Sequence, residues 1–153
     1  MTEKTIEIMG LLARAKTLAK AYYALTGKPL GVTGEVAEVE AARLLGLMLA
    51  DARCEGYDAS EIVDGQEHKI QMKGRRLLPT SKPSQKVGTL KFGKEWDSVM
   101  LVLLNEDYEP TGIWQASRAV AEAERARKNR DELTVLFFKK HARLRWEAPA
   151  ITE

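Results

Sequence analysis

The chain has 153 residues, 44% of them hydrophobic and 30% charged, which is the make-up of one globular domain with a sizeable core and excludes disordered and fibrous classes. It holds no run of about 18 apolar residues, so no membrane span is expected, and the opening "MTEKTIEIMG" carries acids and lacks the apolar stretch of a secretory signal. The net charge of +2 hides an uneven distribution: residues 69–94 contain eight Lys or Arg and no Asp or Glu, while both flanking blocks are net acidic.

Residues 3–26 are predicted to form an amphipathic helix, with Ile8, Leu11, Leu12, Ala15, Leu18, Ala19 and Tyr22 as its apolar stripe. Gly27 is its expected C-terminal cap, with Pro29 just beyond. A second helix is predicted from about Thr33, taken as N-cap, to about Leu49. Strands over 57–63 and 66–73 follow, joined by Asp64-Gly65, a strong hairpin signal. Residues 77–95, polar and proline-containing, are expected to be a long loop, and loops of that length are more often functional than incidental. "DSVMLVLLN" has the continuous apolar character of a strand buried on both faces. "PTGIWQAS" is predicted as the strand beside it, "RAVAEAERARKNR" as a helix, and "LTVLFFKKHARLRW" as strand or hairpin. No repeat or second domain is evident. The expected fold class is therefore α/β, a mixed sheet flanked by helices, in one domain: an N-terminal helix (1–28), a core (31–128) and a C-terminal extension (129–153).

The hairpin fixes which residues meet. If Asp64-Gly65 is a two-residue type I′ turn, Val63 pairs with Gln66, and counting outward places Asp58 opposite Gln71. Lys73, two residues beyond Gln71, points to the same face, whereas Ala59, Val63, Ile70 and Met72 face the other way, toward a core. A one-residue slip would scatter the three polar groups. On the second helix, Glu38 shares a stripe with Ala42, Leu45 and Leu49 and should point inward, which is costly for a carboxylate without a counter-charge. Glu40, near Arg43, is read as solvent-facing, and Glu35 is the reserve candidate. Mg²⁺ takes hard oxygen ligands and keeps several waters. Asp58, the Gln71 carbonyl, the Met72 backbone carbonyl and Glu38 could hold it, with Mn²⁺ as substitute. Lys73 could orient or deprotonate an attacking water or offset charge on a phosphate. The basic block supplies Lys69, Arg75, Arg76, Lys82, Lys86, Lys91 and Lys94 as phosphate contacts beside this site.

The stretches "GEVAEVEAARLLGL", "GYDASEIVDG" and "IQMKGR" resemble the PD-(D/E)XK, or restriction-endonuclease-like, nuclease superfamily, in its Gln-x-Lys, Mrr-like variety. The resemblance covers roughly residues 31–104. It implies an αβββαβ core with an extra N-terminal helix, active-site positions at Glu38, Asp58, Gln71 and Lys73, Mg²⁺-dependent hydrolysis of DNA, and a homodimer as one way to cut two strands. Tyr57 stands where the name-giving proline would be. Gln71 replaces an acid and so removes one negative metal ligand. The short segment before Asp58 leaves little room for a first strand.

Each residue also has a plain structural reading. A strand Lys or Gln is commonly solvated, Asp58 after Gly56 fits turn chemistry, and Glu38 suits the early part of a helix. His68 and His141 are read as surface residues, Trp96 and Trp114 as core anchors, Asp97 as a strand-edge residue, and Tyr22 and Tyr23 as helix packing. Cys54, the sole cysteine, excludes an intrachain disulfide and points to a reducing cytoplasm, and with two histidines it makes a zinc site improbable. The alternative to an enzyme is a nuclease-fold module that binds nucleic acid or a protein without cutting; a third reading is a structural protein whose long loop contacts a partner subunit.

Overall fold

The computed structural model describes residues 2–150. Helices α1 (Glu3–Thr26) and α2 (Thr33–Leu45) open the chain, followed by strands β1 (Met48–Leu49), β2 (Ala59–Val63), β3 (Gln66–Arg76), β4 (Lys86–Thr89), β5 (Ser98–Leu104) and β6 (Pro110–Ser117). Helix α3 (Arg118–Lys128), strand β7 (Glu132–Thr134), helix α4 (Val135–His141) and strand β8 (Arg143–Glu147) complete it. Six strands form one mixed sheet in the order β1-β2-β3-β5-β6-β8, and β4 pairs with β7 in a small second sheet. Among the described residues only the β3–β5 pair is parallel. No helix among the described residues is long and apolar enough to cross a membrane.

The sheet is covered on both faces. On one, α1 and α2 bring Ala19, Val36, Ala37 and Ala41 against Ile70, Met72, Met100, Val102 and Ile113. On the other, Val87, Leu90, Leu133, Phe137 and Phe138 pack on Val99, Leu101 and Leu103. Strand β5 is buried along its whole length, as a run without polar alternation requires.

Helix ends follow glycine chemistry. Gly27 caps α1 in the left-handed region (φ 69°), its N–H donating to the Tyr23 carbonyl, as expected. Gly46 (φ 70°) does the same for α2, so that helix stops at Leu45 instead of continuing to Leu49, and Met48 and Leu49 pass to the sheet edge as β1. Thr33 is not the N-cap of α2 but its first helical residue; the cap is Val32, with no side-chain hydrogen bond. Within the expected loop 77–95, residues 86–89 are the strand β4. The C-terminal segment departs furthest from expectation: "VLFFKKH" is the helix α4. Thr134 accepts a 3.1 Å bond from the Phe137 N–H as N-cap, and burial of both phenylalanines overrides their strand propensity.

The stripe expected on α1 is divided. Leu12 and Ala19 face the body, whereas Leu11, Leu18 and Tyr22 face solvent together with Leu25. Polar contacts secure much of the rest of the helix. Lys16 bridges Glu40 and Glu109, Lys20 pairs with Asp107, and the Arg76 guanidinium lies over the rings of Tyr23 and Tyr108.

Helix α2 approaches β3 closely because Gly74 has no side chain. A Cβ there would lie 2.5 Å from the Ala37 Cβ and 3.2 Å from the Thr33 carbonyl oxygen. Gly74→Ala should therefore push α2 off the sheet and cost about 1–3 kcal/mol, read as a lower midpoint in urea unfolding.

Candidate active site

Strand β3 outruns its neighbour. Strand β2 pairs with residues 66–70, so among the described residues one edge of β3 lacks a strand partner from Gln71 onward. The turn that sets this register is the expected one. Asp64 (φ 51°) and Gly65 (φ 79°) are both left-handed, Val63 pairs with Gln66, and Ala59 pairs with Ile70. Asp58 follows in register, its N–H donating to the Ile70 carbonyl at 2.9 Å. Its side chain then turns along the open edge, where Oδ2 accepts the Met72 N–H at 2.7 Å. The N–H and C=O of a strand residue point to one side, so the Met72 carbonyl faces the same edge.

Glu38 and Lys73 share the electrostatics of this edge. Burial, followed by the charges of Asp58 and Glu35, pushes the Glu38 carboxyl up to about 7. Burial lowers the Lys73 ammonium, Asp58 pulls it back up, and Arg75 and Lys91 lower it further. Glu38 forms no ion pair or hydrogen bond among the described residues, and Asp58 uses only one oxygen. Two neighbouring carboxylates thus stand without a hydrogen-bonded cation. That donor set, with the Met72 carbonyl beside it, fits a hard divalent cation, which would offset the crowded negative charge. Among the described residues no group of three or more His, Cys, Asp or Glu is placed to hold a metal, so any such site depends on carbonyl oxygens and water as well.

The reading of Glu40 requires correction. It is 2% exposed, not solvent-facing, and accepts bonds from Lys16 at 3.0 Å and from Arg43 at 2.7 Å. Burial alone would raise its carboxyl, but the bonds from Arg43 and Lys16 outweigh that and hold it below the ordinary range. Lys16 comes from α1, which covers this side of α2.

Gln71 is buried at 4% exposure on the same sheet face as Lys73, and its Oε1 accepts a long bond, 3.4 Å, from the Lys91 N–H. The expected phosphate contacts are differently placed. Arg75 donates to the Lys86 and Gly74 carbonyls, and Arg76 donates to the Glu106 carbonyl, so both serve the fold. Lys69, Lys86 and Lys94 pair at the surface with Glu95, Glu132 and Glu55. Lys82 and Lys91 are exposed and form no ion pair among the described residues.

Gly88 was not singled out by sequence reading. Its backbone (φ 94°) crosses Lys73 and Arg75, and a Cβ there would come 3.2 Å from Arg75 Nη2 and 4.0 Å from Lys73 Nζ. An isolated glycine in a strand is the usual mark of such an approach. Elsewhere Trp96 is buried and Trp114 partly so, as expected of core anchors. Asp97 accepts the Lys69 N–H at 2.8 Å, a strand-edge role. His141 is exposed, while His68 is half-buried and bonded to Ser98 at 3.0 Å. Tyr22 is exposed and does not join the helix packing.

The raised Glu38 carboxyl has a definite pH consequence. Its folded value, about 7, exceeds the ordinary 4.5. The folded state therefore keeps a proton that the unfolded chain has lost, and stability falls as pH rises from 4.5 to 7. Glu38→Gln should remove that penalty, raising stability at pH 8 by about 1–2 kcal/mol after allowance for solvent screening and changing little at pH 4, as read by denaturant unfolding at both pH values. Compared with known proteins, the chain matches no protein-family model and no curated protein.

Proposed function

We propose that the protein is a metal-dependent nuclease that hydrolyses DNA phosphodiester bonds at the open edge of β3. The single observation that carries this reading is the placement of Asp58, held at the strand edge by the Met72 N–H, where its charge acts on both Glu38 and the half-buried Lys73. The order α2, β1, β2, β3 supports the opening of an αβββαβ core of the restriction-endonuclease-like kind, with β1 cut to two residues. The crossover from β3 to β5 departs from that order, since it carries strand β4 and no helix.

Asp58, the Met72 carbonyl and Glu38 would hold Mg²⁺, with Gln71 able to add its amide oxygen if the long bond from Lys91 opens. The ion would supply Lewis-acid stabilisation and water activation. Asp58 keeps one oxygen free for this purpose because the other is fixed by the backbone. Lys73 orients the attacking water, or takes its proton when neutral, and burial makes the neutral form more accessible. Protonated, it offsets charge growing on the phosphate. Lys91 and Lys82, exposed and without ion pairs among the described residues, are the cations best placed to meet a nucleic-acid backbone.

One observation favours a second reading, a binding module of the same architecture that does not cut. Gln71 is neutral, and its oxygen is already engaged by Lys91.

Supercoiled plasmid with Mg²⁺ or Mn²⁺ should be nicked or linearised by the wild type, and Asp58→Ala and Lys73→Ala should each lower the rate by about 100-fold or more. Cleavage unchanged in both variants would remove the site. Calorimetric titration with Mn²⁺ separates the two readings. The nuclease takes up the ion and Asp58→Ala loses the heat, whereas the binding module shows no uptake and retains DNA in a salt-sensitive way.

A further inference from the structure

We infer that Arg118, the first residue of α3, is a positioning residue of the candidate site, fixing the 91–97 segment that steadies both Asp58 and Gln71. That segment, between β4 and β5, has no regular structure, so its carbonyls need partners from outside it. Arg118 supplies them. Its Nη1 donates to the Lys94 carbonyl at 2.7 Å and to the Trp96 carbonyl at 3.3 Å, and its Nη2 donates to the Phe92 carbonyl. The guanidinium also lies over the Trp96 ring, 4.6 Å from its centroid, and Nε donates to Glu122 at 2.8 Å, one turn along α3. All three nitrogens are thus engaged inside the protein. A planar fork of fixed donors suits carbonyls that converge on one point, which a lysine amine does not match.

Two routes lead from this segment to the site. The first runs through Lys94. A Cβ on Gly56 (φ 95°) would lie 2.6 Å from the Lys94 Cβ, so the Lys94 stem fills the space beside Gly56, just ahead of Asp58. The Lys94 amine then pairs with Glu55 at 2.8 Å. The backbone that delivers Asp58 to the Met72 N–H is therefore packed against a residue whose carbonyl Arg118 holds. The second route runs through Lys91. Trp96 Nε1 donates to the Lys91 carbonyl at 2.8 Å, and the Lys91 N–H donates to Gln71 Oε1 at 3.4 Å. Arg118 thus reaches one carboxylate and one amide of the proposed metal site through intervening residues. Groups that orient the ligands, as well as the ligands themselves, decide how tightly a metal is held. The metal-site role rests on the nuclease reading, whereas the coupling from α3 to the strand edge is measurable apart from it.

Amide hydrogen exchange, followed by NMR on the full chain, reads both routes. Arg118→Met keeps the aliphatic stem and removes every donor. It should speed exchange at Met72, whose N–H is held by Asp58, and at Lys91 by about 10-fold or more, while Met100 and Val102 in β5 keep their rates. Trp96→Phe keeps a ring beneath the guanidinium but removes the indole donor, and should speed Lys91 alone. In calorimetry, Arg118→Met should weaken Mn²⁺ uptake by about 10-fold or more. Wild-type rates at Met72 and Lys91 in Arg118→Met overturn the inference. So does a uniform rise that includes β5 in both Arg118→Met and the milder Arg118→Lys, since Arg118 would then serve the whole fold. A wild type that takes up no Mn²⁺, with the two amides still answering to Arg118, upholds the positioning and defeats the nuclease reading instead.

Discussion

The 2.7 Å bond from the Met72 N–H to the Asp58 carboxylate is the contact on which the rest of the edge depends. Beyond Ile70 no strand among the described residues partners that side of β3, and an unpaired strand edge is free to slip or to pair elsewhere. Asp58 ends the ladder by taking one backbone donor with its side chain. Its charge acts from there on both Glu38 and Lys73, so the group that closes the sheet also contributes to the electrostatics of the candidate site. The geometry depends on the two-residue turn at Asp64-Gly65, because a slip by one position would send Asp58 to the opposite face.

The two sheet faces divide the work. The Ala59–Ile70–Met72 side is filled by α2, with Gly74 permitting the close approach that carries Glu38 to the strand edge. The Gln71–Lys73 side is roofed by β4, where a Cβ added at Gly88 would come within 4.0 Å of the Lys73 amine. Burial and the like charges of Arg75 and Lys91 thus act against its charged form, and Asp58 opposes them. A lysine so placed differs in kind from the exposed lysines of the same basic block.

How much could be read from the sequence follows from the range of each interaction. The hairpin register was legible because a local signal, Asp-Gly between two strand-like runs, determines it. The mixed sheet and the buried β5 were legible from apolar patterning. Glu40 was misread because its burial depends on Lys16, which is 24 residues away on another helix. Helix α4 was missed because its cap is a single threonine and its residues favour strands locally. The basic block was visible as charge, but the partners that engage half of it (Glu55, Glu95, Glu132 and the Glu106 carbonyl) are distant in sequence. The division of the α1 stripe had no local signal at all, since periodicity locates a helix surface without saying what lies against it.

Much of what fastens α1 to the body is electrostatic, through Lys16, Lys20 and the arginine between two tyrosine rings, with Leu12 and Ala19 as its main apolar anchors. The exposed pairs Lys20–Asp107 and Lys16–Glu109 weaken in salt, while the buried Lys16–Glu40 pair and the apolar contacts are affected much less. High ionic strength should thus loosen this helix while the sheet beneath keeps its form. Detachment would uncover Glu40 and remove Lys16 from it, leaving Arg43 on the same helix as its partner, which makes the N-terminal helix the part of the molecule whose seating answers to the composition of the surrounding solution.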